Sequence, residues 1–202
     1  MRSIILILVA LALTAPRAFA ASDPYADIST MRVAFSHIRS VVAVQRYSSG
    51  EFATVEYASP NRYHVTMRRS QIALAGNVEY DRQIGGVWKR SPNGAEHQAL
   101  LSAAWNIAGT PNVDVHKLFT ITSLGSKRID RTTLRGYLLH DSAGAYDATI
   151  WIGPTYLPVF ASIQMPDQTI KVHYINYNAS LDVAMPQQPT RVGGTTVGDR
   201  SP

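Results

Sequence analysis

From Ser40 to Tyr177, in short stretches, apolar and polar residues alternate one by one. The stretch "LPVFASIQM" puts Leu157, Val159, Ala161, Ile163 and Met165 on one side and Pro158, Phe160, Ser162 and Gln164 on the other. The next, "QTIKVHYINY", sets Ile170, Val172 and Tyr174 against Lys171, His173 and Ile175. A period of two belongs to strands, whose successive side chains point to opposite faces. The pattern recurs over 40–47, 51–58, 62–67, 71–75, 78–83 and 87–90, then over 118–129, 134–140, 145–152, 157–164 and 169–177. Between these stretches stand Ser49-Gly50, Pro60-Asn61, Gly76-Asn77 and Gly85-Gly86, residues that make turns. Short strands joined this way predict an antiparallel meander rather than alternating strands and helices. A sheet of about eleven strands must curl, close or split.

Two helices are expected beside it. Asp23-Pro24 supplies an N-cap and a first-turn proline, and Ile28, Met31, Phe35 and Ile38 follow at spacings of three and four. Asn93 and Glu96 make a capping box, and Gly109 and Pro111 end that helix, whose apolar face is Leu100, Leu101, Ala104, Trp105 and Ala108. Two short helices cannot cover a flat sheet of this size, but they can plug a curved one. The expected fold is mainly β (α+β), an open half-barrel with helices on its concave side. Apolar faces on neighbouring strands then line an interior. The residues expected there are Val44, Val55, Tyr57, Leu74, Trp88, Leu101, Trp105, Ile150, Ile152, Leu157, Val159, Ile163, Val172 and Tyr174. Such aromatic and aliphatic side chains either fill an ordinary core or line a ligand cavity.

The first 20 residues read as an export signal. Arg2 precedes an apolar run from Ile4 to Leu13, and Ala18-Phe19-Ala20 offers a cleavage site. The run is shorter than the roughly 20 residues a membrane span needs. The expected division is a signal peptide at 1–20, one domain at 21–186 and a disordered tail at 187–202, with a bacterial periplasmic location. Arg2 and Arg17 leave with the signal, so the 19 basic residues fall to 17 against 14 acidic, a net +3. These charges are scattered in pairs such as Arg68-Arg69 and Lys127-Arg128, which argues against a nucleic-acid partner. The chain contains no Cys, which removes disulfides and thiolate chemistry.

Nothing in the sequence signals catalysis. The six His residues show no His-x-x-x-His spacing and no His-Glu-x-x-His, so no metal site is expected. No Gly-x-Ser-x-Gly elbow marks a nucleophile. No enzyme activity and no cofactor are expected.

Several phrases carry a family resemblance. They are "FATVEYASPNRYHVTM", "QIALAGNVEYDRQIGGVWKR", "ATIWIGPTYLPVFASIQM" and "TIKVHYINYN", following an amphipathic helix after the signal. In this order, over about residues 25–185, the chain resembles the LolA-like family of periplasmic lipoprotein and lipid carriers, including related mycobacterial lipoproteins. The resemblance implies a half-barrel whose concave face, lidded by helices, holds acyl chains of lipids or lipoproteins. It also implies polar cavity contacts that include an Arg, for which Arg46 and Arg62 are the candidates here. An envelope membrane protein is a second expected partner, and a monomer the expected state. The alternative is an envelope module that docks another protein on its curved sheet and takes no small ligand.

Overall fold

In the computed structural model the described residues are 23–95, 114–183 and 185–186. The expected signal and tail, and the helix expected between Asn93 and Gly109 with its Leu101 and Trp105, lie wholly or mostly outside them. The first helix, α1 (Pro24–Ser36), starts as its sequence requires: the Asp23 carboxylate accepts the Tyr25 N–H at 3.0 Å, and Pro24 takes the first turn. A second short helix, α2 (Val115–Leu118), is capped by Asp114, which accepts the His116 N–H at 3.0 Å. The strand expected from Leu118 therefore starts one residue later, at Phe119.

Among the described residues, eleven strands form one antiparallel sheet. They are β1 (Ser40–Tyr47), β2 (Phe52–Ala58), β3 (Arg62–Met67), β4 (Ser70–Ala75), β5 (Val78–Gln83), β6 (Lys89–Ser91), β7 (Phe119–Ile129), β8 (Thr132–Asp141), β9 (Asp147–Ile152), β10 (Pro158–Gln164) and β11 (Thr169–Ile175). Their order across the sheet is β6-β5-β4-β3-β2-β1-β11-β10-β9-β8-β7. Two meanders therefore meet at one long-range seam, where β1 pairs with β11 and Gln45 faces Val172. The outermost strands, β6 and β7, do not pair with each other, so the barrel stays open.

Strand alternation sorts the sheet into two faces. The inner face is the one α1 covers: Ile28 and Met31 share a buried cluster with Ala43, Val55, Leu74, Tyr137, Ile150 and Val172. Three anchors fix α1 there. At its start the Tyr25 ring stacks on His116 at 3.9 Å, and the Tyr25 hydroxyl accepts the Ile121 N–H. Still in its first turn, Asp27 bonds to Arg135 and Tyr137 of β8. At its end Phe35 meets Tyr174 and Tyr177 edge-on, with centroids 6.3 and 6.4 Å away.

Candidate functional site

The inner face is built of continuous cross-strand rungs. One runs Gln45, Val172, Ala161, Ile150, Tyr137, Ser123 from β1 to β7. The next runs Tyr47, Ile170, Ile163, Ala148, Leu139, Ile121. On the other meander, Val41, Tyr57, Tyr63, Leu74 and Glu79 form a rung from β1 to β5. Apart from the polar positions at rung ends, this is one apolar surface of moderate-sized side chains studded with tyrosines.

The sequence-based interior set can now be placed. Val55, Leu74, Ile150, Ile152 and Val172 are buried in the main cluster, and Tyr57, Ile163 and Tyr174 pack against it. Leu157 packs on a neighbouring cluster of Phe35, Ile38 and Val41. Val159 is half-buried at a β-bulge between Pro158 and Phe160. Two residues lie elsewhere. Val44 points to the outer face, because Ala43 points in and neighbours on a strand alternate. Trp88 precedes β6 and lies against Arg82 at 4.4 Å and near His64 at 6.2 Å, both residues of the outer face.

The arginine expectation needs correction for the same reason. Arg46 and Arg62 are exposed on the outer face, one position off from the inward Gln45 and Tyr63. The guanidinium groups nearest the interior belong to Arg32 and Arg135. Asp27, buried on α1, accepts from Arg135 Nη1 at 2.8 Å and from the Tyr137 hydroxyl in a very short bond. Arg135 in turn lies 4.4 Å over the Tyr156 ring. Burial alone would lower the Arg135 pKa, but its bond to Tyr156 and the Asp27 charge outweigh it, and the net shift is upward. Arg32 is 2% exposed and its pKa is lowered by that burial. Glu79, 1% exposed, ends the Leu74 rung.

The sequence reading missed these polar groups, although a signal existed. Asp27 is four residues before Met31, and Arg32 four after Ile28, so both share the helical stripe of the apolar residues. Desolvation also marks the tyrosines: it pushes the Tyr174 and Tyr146 phenols up to about 12 and the Tyr177 phenol higher still. The Tyr177 hydroxyl donates to the Pro158 carbonyl at 2.6 Å.

At one end of the inner face a depression of about 770 Å³ opens between the β1–β2 and β3–β4 turns. Inward-facing Tyr47, Met67 and Ser70 line it, together with Phe52, and Arg68, Arg69 and the single acid Glu51 stand in its lining.

No protein-family model matches the sequence, and no curated protein matches it significantly. Solved structures do match. The chain is similar to the Mycobacterium tuberculosis lipoprotein LppX, with a TM-score of 0.61 and 17% identity, covering 81% of this chain and 100% of that one. The two chains share a fold. This chain is likewise similar to LprF from Mycobacterium bovis, with a TM-score of 0.57 and 12% identity over 82% of this chain and 97% of that one. At such identities the likeness fixes the fold and leaves the ligand to the chemistry of the inner face.

Proposed function

We propose that the protein is an extracytoplasmic, non-enzymatic binding protein or carrier for acyl chains, held on the inner face of the half-barrel. The observation that carries this reading is the unbroken apolar rung from Val172 through Ala161 and Ile150, in a fold shared with the lipoprotein LppX. Each methylene moved from water onto such a surface gains about 0.8 kcal/mol, so chain length rather than directional bonding sets affinity. The basic edge at Arg68 and Arg69 suits an anionic headgroup left at the mouth.

The test is titration of delipidated protein with a fluorescent fatty acid, followed by displacement with unlabelled phospholipid. Saturable, displaceable binding is expected, and Ile163→Lys should abolish it while circular dichroism stays native. Ile163 is only half-buried, so the fold tolerates the change better than at Ile150, yet an unpaired charge beside an acyl chain is costly. A well-folded, delipidated protein with no saturable binding would sink the carrier reading and favour docking of another protein.

A further inference from the structure

The outer face carries its own organised surface. Two rungs cross it side by side. The first runs Phe52, Arg46, Lys171, Ser162, Thr149, Leu138 over six neighbouring strands. The second runs Val44, His173, Phe160, Trp151, Gly136. Between them lies a groove of about 490 Å³, which Lys127 also lines.

Three features set this groove apart from a solvated sheet surface. Arg46 and Lys171 are direct cross-strand partners, an arrangement of like charges that destabilises a sheet. No carboxylate lines the groove, and among the described residues none is within ion-pair distance of Arg46, Lys171 or Lys127. Two acids of the same face are paired elsewhere: Asp147 with His140 at 2.5 Å and Glu56 with His64 at 3.1 Å. The aromatic rings are pinned flat. Trp151 lies on Gly136, where a Cβ would come within 2.7 Å of the ring, and Lys127 Nζ sits 3.7 Å over its centroid. Phe160 stacks on His173 at 4.5 Å.

We propose that this groove docks the protein onto an anionic phospholipid surface. Arg46, Lys171 and Lys127 supply charge to headgroup phosphates, with the Ser162 and Thr149 hydroxyls as further donors between them. Exposed Phe52 and Leu138, 50% and 37% accessible, close the rung at either end and reach into the headgroup layer. Cationic and aromatic side chains interleaved on one face suit that layer, where aromatic rings and Lys or Arg sit together. Because Trp151 and Phe160 lie flat, the contact rests on the interface without deep insertion and is therefore reversible and salt-sensitive. An acidic peptide would also meet the charge. A surface spanning six strands with apolar ends fits a broad layer better than one narrow chain.

Cosedimentation of the full chain with vesicles tests this. Binding is expected to equimolar phosphatidylcholine and phosphatidylglycerol but not to phosphatidylcholine alone, and salt should weaken it. Arg46→Glu should lower partitioning by about tenfold or more. It should also raise Tm, because it turns a like-charge pair into an opposite-charge one. The control Lys89→Glu with Arg90→Glu, on edge strand β6 away from the groove, should keep clearly more binding. Equal loss in both would reduce the effect to net charge and overturn the proposal, as would absence of vesicle binding. Binding of inorganic phosphate or an acidic peptide at the groove, with vesicles ignored, would replace it with a soluble-anion or protein site. Ile163→Lys should still sediment with vesicles, so a failure here and a failure of the acyl-chain reading are separate results.

Discussion

Asp27 occupies a position on α1 where packing alone would favour a leucine. Its carboxylate is the shared acceptor for Arg135 and Tyr137, so removing it takes a charged acceptor from two donors at a partly dry interface. Asp27→Ala should lower unfolding stability by about 3–5 kcal/mol, the usual cost of breaking a buried pair from one side. Asp27→Asn keeps one acceptor oxygen and should lose less, about 1–3 kcal/mol. Urea denaturation of both variants checks the order; equal stability to wild type would show that the latch holds nothing. Tyr174 makes a pH prediction. Burial raises its phenol to about 12, while in the unfolded chain it ionises near 10. The folded state thus keeps a proton that the unfolded state releases. Stability is full below about pH 10 and falls as pH rises through 12. Thermal melts across that window should show the fall, and Tyr174→Phe should blunt it. None of this was visible in the strand alternation, which says which side Tyr174 takes but nothing of how dry that side is.

At the scale of elements, sequence and structure agree because each rule used was local. Turn residues cut the strands at the right places, and the Asp23-Pro24 start set the first turn of α1. Asp23→Ala should therefore cost about 1 kcal/mol, readable as a small drop in the urea midpoint with an unchanged slope. The failures are equally local. Val44, expected on an apolar interior face, and Arg46 and Arg62, the candidates for the cavity Arg that the resemblance implies, each lie one position of parity away and face outward. Trp88, expected in a strand over 87–90 and among the interior aromatics, falls just before β6, and its ring settles on Arg82. The outer groove was hidden for another reason. Its residues come from β1, β7, β9, β10 and β11, and strand alternation does not reveal that β1 lies beside β11 or that β7 lies on the same side as the β9–β11 run.

At the scale of the molecule, one seam decides the architecture. Every other neighbour pair in the sheet is consecutive in sequence, and a hairpin is cheap to foresee. The β1–β11 pairing closes a loop across most of the domain, and alternation gives no hint of which strand lies beside which. That seam merges two meanders into one inner face, placing Gln45 and Val172 in the same rung as Ile150, and it brings Arg46 beside Lys171 outside. A chain without Cys allows a direct test. Val42 and Ile175 are cross-strand partners on the outer side of the seam, apart from both the acyl face and the basic groove. Directly opposed antiparallel residues lie about 4.5–5.5 Å apart at Cα, within the range a disulfide spans. Val42→Cys with Ile175→Cys should therefore oxidise readily and be seen as faster migration on a non-reducing gel. The bond closes a loop of roughly 130 residues and should stabilise by about 2–4 kcal/mol. If acyl chains enter at the rim by Tyr47 and Met67, locking the seam leaves fatty-acid affinity unchanged. Loss of binding on oxidation, restored by reductant, would mean instead that the two meanders part to admit the ligand.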